Sequence, residues 1–217
     1  MTFSLLGRCA VTGQIGAAVS TSSIAVGSRV AFCAPGIGGV LTQHRTDPRL
    51  GPRGLDLLRS GCDAEETLAA LVAGTPHAMW RQIGVLDSNG LSAAYSGARV
   101  KLEMSEAVAK DVVAIGNILS NHLVVAAMAT TFHDTKGVLA ERLLRALEAG
   151  LAAGGEHGPV HSAALIVYGT ESFPLVDLRV DWHDAPIAEL RALWQRYAPL
   201  VDDYVQRAID PDNARAM

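Results

Sequence analysis

Lysine is nearly missing from this sequence: only Lys101, Lys110 and Lys136 occur among 217 residues. Most of the positive charge is arginine, and 18 Lys and Arg stand against 22 Asp and Glu, a net charge of −4. No basic run interrupts that balance, so nothing points to nucleic acid as a partner. Aromatic residues are only 5% of a chain that is 49% hydrophobic, so the core must be built from Ala, Val, Leu and Ile. Three cysteines, Cys9, Cys33 and Cys62, are an odd number at no metal-ligand spacing. They read as small buried hydrophobes in a reducing compartment. No basic segment followed by a long apolar run marks a secretory leader. The most apolar stretch, 112–131, is interrupted by Gly116, Asn117, Asn121 and His122, against a membrane span. A Gly-x-Ser-x-Gly elbow is also missing, which leaves a serine-hydrolase triad without support. A cytoplasmic protein without a cofactor is expected, and its length suits one good-sized core.

What is present alternates between strand and helix signals. Residues 2–7 and 14–20 read as two strands joined by a turn at Val11-Thr12-Gly13. A glycine-rich strand at 36–43 implies a close backbone approach. Helices follow at 53–60, with Pro52 in the first turn, and at 64–73, with Asp63 and Glu66 placed as a capping box. Strands at 80–86 and 91–96 flank Asn89-Gly90, a strong hairpin signal. A strand at 112–118, apolar on both faces, precedes helices at 121–132 and 137–150, with Leu139, Leu143 and Leu147 at four-residue spacing. Two more strands, 162–168 and 175–180, lead to a long helix at 186–208. Its apolar stripe is Ile187, Leu190, Trp194, Tyr197, Val201, Tyr204 and Ala208. That stripe predicts a homo-oligomer. Residues 1–210 are expected to form one domain and 211–217 a frayed tail. Hairpins and antiparallel neighbours dominate, so the expected fold class is α+β: a four-layer α/β/β/α sandwich of two antiparallel sheets.

The candidate chemistry starts at Thr2. A residue this small at position 2 permits removal of Met1, after which Thr2 carries a hydroxyl and a free α-amine together. An amine with a pKa of roughly 8 can take the hydroxyl proton near neutral pH, a nucleophile and base in one residue. Thr21, Thr42 and Gln43 lie at predicted strand ends where small polar groups could face Thr2, against the plainer reading of strand-end hydrogen bonding. Asn117, inside an apolar strand, is either an oxyanion donor or a satisfied core amide. Arg49 and Arg53, at a helix start, could clamp a substrate carboxylate or simply face solvent. Glu156, His157 and His161 offer a metal reading that Gly158-Pro159 weakens, because a helix is needed to bring the two histidines together.

Several segments together resemble one family along nearly the whole chain. They are Met1-Thr2-Phe3-Ser4, Ala25-Val26-Gly27, Thr42-Gln43, Gly51-Pro52-Arg53-Gly54-Leu55, Gly116-Asn117-Ile118-Leu119, His161-Ser162-Ala163-Ala164-Leu165 and Asp177-Leu178-Arg179-Val180-Asp181. The family is the bacterial group called domain of unknown function 1028, assigned to the N-terminal-nucleophile (Ntn) hydrolase superfamily. The resemblance implies an α/β/β/α fold in which an N-terminal Thr, Ser or Cys cleaves an amide bond, with Thr2 at the matching position. It departs from proteasome-type members in lacking a lysine on an early strand; Arg29, the nearest cation, cannot titrate as a base. The expected function is hydrolysis of a small-molecule amide, and the alternative is an inactive ligand-binding or assembly protein that keeps Met1.

Overall fold

The computed structural model describes residues 1–101 and 103–215. Strands β1 (Thr2–Arg8) and β2 (Ile15–Thr21) form the expected hairpin. They sit at the centre of a six-stranded antiparallel sheet with β7 (Ser105–Ala109), β8 (Val112–Asn117), β9 (Ser162–Tyr168) and β10 (Pro174–Val180), in the order β10-β9-β2-β1-β8-β7. A second, four-stranded antiparallel sheet orders β3 (Ala31–Ala34), β4 (Gly38–His44), β5 (Arg81–Asp87) and β6 (Ser92–Ser96) consecutively.

Side-chain alternation along the strands divides the apolar residues among three cores. On β1, Phe3 and Leu5 face outward and pack with Val125, Met128, Phe132, Leu143 and Leu147 from α3 (Leu123–Asp134) and α4 (Leu139–Ala152). Leu6 faces the other way and meets Leu41, Leu86, Val113 and Ile115 between the two sheets. Beyond the second sheet, Val40, Ile83 and Val85 pack against Leu50, Leu58 and Leu71 from α1 (Leu50–Arg59) and α2 (Ala64–Ala73). The result is the α/β/β/α sandwich that the pattern predicted. Each fully buried Leu or Ile contributes about 1.5–3 kcal/mol, and the polar strand ends can sit buried only because this apolar frame surrounds them.

Two local expectations are met closely. The α2 capping box is complete, with Asp63 accepting from the Glu66 N–H and Glu66 accepting from the Asp63 N–H. The glycine-rich β4 does allow close approach: a Cβ at Gly39 would lie 2.5 Å from the Leu6 side chain of the facing sheet. Helix α1 begins at Leu50, three residues earlier than expected.

Other expectations are corrected. Strands β3 and β7 were not expected; both are edge strands, β3 only four residues long and β7 largely exposed, so neither carries a strong pattern. The long final helix is two, α5 (Pro186–Tyr197) and α6 (Val201–Ile209), joined by a 3-10 turn at Ala198–Leu200. Pro199 lacks the N–H the helix needs and clashes with the preceding turn. Of the expected stripe, Ile187, Leu190 and Trp194 are buried on α5, whereas α6 has no fully buried residue and only its Val201 packs, half-buried, against the first core. Pro211–Asn213 forms another 3-10 turn; of the tail expected at 211–217, residues 216 and 217 lie outside the described residues. Among the described residues, no helix is long and apolar enough to cross a membrane.

Candidate functional site

Thr2 opens β1 with its side chain turned into the space between the sheets, and the residue is 6% exposed. Its hydroxyl donates to the Met1 carbonyl oxygen. Thr21, the last residue of β2, donates to that same oxygen at 2.5 Å, and the two hydroxyl oxygens are 3.3 Å apart. The carbonyl of Met1 therefore occupies the point on which both hydroxyls converge. Across the ladder Thr2 is the register partner of Asn117 on β8.

Below Thr2 lies a buried amide cluster joining the two sheets. Gln82 on β5 accepts from Gln43 Nε2 at 2.7 Å and from Asn117 Nδ2 at 3.0 Å. It donates to Ser96 Oγ at 2.8 Å and to the Gly116 carbonyl at 2.9 Å. Gln43 accepts from Ser4 Oγ at 2.7 Å and donates to the Ile115 carbonyl at 3.3 Å. Ser4, Gln43, Gln82 and Asn117 are fully buried, and Asn117 Oδ1 alone among their side-chain atoms has no partner. Buried amides satisfied in this way hold β1 and β8 at a set distance from β4 and β5.

The third component is Glu156, from the loop after α4. Ile118, just past Asn117, adopts a left-handed backbone (φ 54°), which costs a β-branched residue about 1–2 kcal/mol. The turn is held by its neighbours: the His157 N–H donates to the Ile118 carbonyl at 3.1 Å, and the Ser120 N–H to the Gly155 carbonyl at 3.0 Å. These bonds bring Glu156 back beside the first two strands, where its Oε2 accepts from the Ser22 N–H at 3.1 Å. Burial pushes the Glu156 carboxyl up to about 7, opposed by the N-terminal ammonium and by the polar hydrogens of Ser22 and Thr21. The ammonium is in turn lowered from its ordinary 8.0 by burial; the Glu156 carboxylate opposes that, and Lys101 adds to it.

The expected site residues divide accordingly. Thr2, Thr21, Gln43 and Asn117 come together. Thr42 does not join them: strand alternation turns it to the α1 side, where its hydroxyl donates to the Asp47 carbonyl at 3.3 Å. Arg53, on α1, is also elsewhere: its guanidinium reaches the C-terminal end of α2 and donates to the Gly74 carbonyl at 3.0 Å. Arg49 forks onto Asp47 at 2.8 Å through both Nε and Nη2. Gln82 was not anticipated, and Glu156 was read only as part of a weak metal site. The polar Gln82 within an otherwise apolar strand was a readable signal, but Glu156 in a glycine-rich loop carried none for this site. A cavity of about 530 Å³ lies away from this cluster, lined by residues such as Leu139, Leu175, Trp194 and Val201.

A solved structure of a protein from Silicibacter pomeroyi, matched to the same family model, superposes with a TM-score of 0.85 at 30% identity, covering 91% of this chain and 89% of that one. The ancestral β-subunit Anbu from Yersinia bercovieri is far more distant, with a TM-score of 0.42 and 12% identity over 94% of this chain and 97% of that one. No curated protein matches. The model of the family of unknown function DUF1028 matches residues 2–190, and the chain belongs to that family.

Proposed function

We propose that this protein is an N-terminal-nucleophile amidohydrolase acting on a small amide, with Thr2 as nucleophile once Met1 is removed. The observation that carries the reading is the convergence of the Thr2 and Thr21 hydroxyls on the Met1 carbonyl oxygen. Removing Met1 vacates that acceptor and creates an α-amine on Thr2. The Thr2 oxygen then attacks the substrate carbonyl carbon while the amine takes its proton. Asn117 is the register partner of Thr2 and commits one amide hydrogen to Gln82, which leaves the other to meet the developing oxyanion. Gln43 and Thr21 line the approach to the same spot.

A second reading is a ligand-binding or assembly protein of the same fold that keeps Met1. The same contacts favour it, because Met1 satisfies both hydroxyls and closes over a residue that is only 6% exposed. Intact mass of the native protein separates the two. Loss of Met1 together with hydrolysis of a panel of small amides, abolished by Thr2→Ala, supports the amidohydrolase. Quantitative retention of Met1 rejects the free-amine mechanism.

A further inference from the structure

The α-amine is a base only while unprotonated; with Met1 in place burial lowers the N-terminal ammonium, and the Glu156 carboxylate opposes that by favouring the charged form. An ammonium has no lone pair to receive the hydroxyl proton, so the site needs another acceptor in that state. Three observations converge on one. Glu156 is 5% exposed, and its Oε1 has no hydrogen-bond partner although Oε2 is bonded to the Ser22 N–H. Glu156 Oε2 is held by the N–H of Ser22, the residue next to Thr21, and the Thr21 side chain is among the groups that oppose the rise of the carboxyl's pKa. The Thr21 hydroxyl is also 3.3 Å from Thr2 Oγ1, and its proton is directed at the Met1 carbonyl.

We propose that Glu156, reached through the Thr21 hydroxyl, is the side-chain proton acceptor for the Thr2 nucleophile. The proposal rests on the reading of Thr2 as nucleophile. With Met1 gone, Thr21 loses the acceptor that holds its proton and can turn to the unpartnered Glu156 Oε1. As the bond from Thr2 Oγ1 to the substrate carbonyl carbon forms, the Thr2 proton passes to Thr21 Oγ1 and the Thr21 proton passes to Glu156. The carbon–nitrogen bond then breaks, and the chain runs in reverse, delivering one proton to the departing nitrogen and leaving Glu156 ionised. These steps balance and leave the acyl group as an ester on Thr2 Oγ1, which water, the second substrate of a hydrolysis, then attacks, giving one proton back to Thr2 through the same relay and releasing the acid. A carboxyl raised to about 7 is matched to this task at neutral pH.

Other charged groups face the same space and bear on the pH profile. They are the N-terminal ammonium on β1, Lys101 between β6 and β7, and His44 at the end of β4, whose ring senses both. On the Glu156 segment itself stand His157 and His161, the latter donating its N–H to the Thr21 carbonyl at 2.8 Å. Only Glu156 and Thr21 lie on the proposed route.

The test uses p-nitrophenyl acetate on full-length protein whose N-terminus is confirmed as Thr2 by mass. p-Nitrophenolate release and the hydroxylamine-labile ester on Thr2 are followed from pH 5 to 9. Wild type should acylate with a limb rising near pH 7. Glu156→Gln and Thr21→Val should each slow Thr2 acylation by about 100-fold and lose that limb, while Thr21→Ser restores both. A Glu156→Gln protein that melts like wild type yet keeps its rate and limb overturns the relay and leaves Thr2 standing. If Thr2→Ala releases p-nitrophenolate as fast as wild type, the nucleophile itself is wrong. Should Glu156→Gln fail to fold, the Thr21→Val and Thr21→Ser pair decides the question alone.

Discussion

Replacing Gln82 by leucine tests whether the buried amide cluster holds the two sheets together. Leucine fills nearly the same volume, so little cavity is created and the cost is almost wholly polar. Asn117 Nδ2 loses its acceptor, and Gln43 Nε2 loses its 2.7 Å bond while keeping the longer one to the Ile115 carbonyl. Each buried donor left without a partner costs about 1–3 kcal/mol. One full orphan and one partial orphan, less the gain from an apolar side chain, give a loss of about 3 kcal/mol. That is a large part of the ~5–15 kcal/mol that holds a typical domain folded. For a chain of this size it corresponds to a drop in Tm of about 6–12 °C. Urea denaturation followed by circular dichroism should show a lower midpoint with an unchanged slope. Gln82→Leu combined with Asn117→Leu should recover part of the loss, since one orphaned donor disappears along with its acceptor. A Gln82→Leu protein within ~0.5 kcal/mol of wild type, the range of an ordinary surface change, would refute the account. Arg53→Ala, an exposed residue of α1 whose guanidinium touches the end of α2, should stay within that range and serves as the control.

Other consequences can be checked separately. Because burial raises Glu156 from 4.5 to about 7, the folded state binds that proton more tightly than the unfolded state. The resulting stability is complete below pH 4.5 and is lost as pH rises through 7, so Glu156→Gln should flatten the pH dependence of the urea midpoint in that window. Burial pushes the Cys33 thiol up to about 12; at half-buried Cys9 burial also raises the thiol, but hydrogen bonds from Thr12 and Val11 and the nearby Arg142 outweigh it and the thiol is lowered. A thiol reagent at pH 7.5 should modify Cys9 and leave Cys33 untouched until denaturant is added; early labelling of Cys33 contradicts the packing. Leu200, Tyr204 and Ile209 on and beside α6 are 40%, 44% and 56% exposed. We expect a second copy to cover them, so sedimentation at micromolar concentration should show a dimer that Tyr204→Glu converts to monomer. A monomeric wild type refutes this.

Much of the frame was readable residue by residue. The Asn89-Gly90 turn, the Asp63–Glu66 box and the spacing of Leu139, Leu143 and Leu147 each state a local preference that the packed fold keeps. Edge strands β3 and β7 were not readable, since a short or half-exposed strand needs its neighbour to define it. The break at Pro199 was legible in principle, but the apolar stripe running across it outweighed the proline.

At the site the division is sharper. The sequence by itself determined that Thr2 begins an apolar strand, that Asn117 is a polar group inside an apolar one, that Gln43 is a polar group at a strand end, and that no early-strand lysine is available. Those are properties of a residue and its immediate neighbours. Only the tertiary structure decided that Thr42 turns away while Gln43 turns in, because the face of a strand is set by which sheet it meets. The same holds for Glu156, separated from Thr21 by 135 positions in the chain and placed beside it by a left-handed turn at Ile118 and the backbone bonds that hold it. Contacts of that sequence separation leave no periodicity to read; they exist only once two sheets and the loops between them have closed on one another.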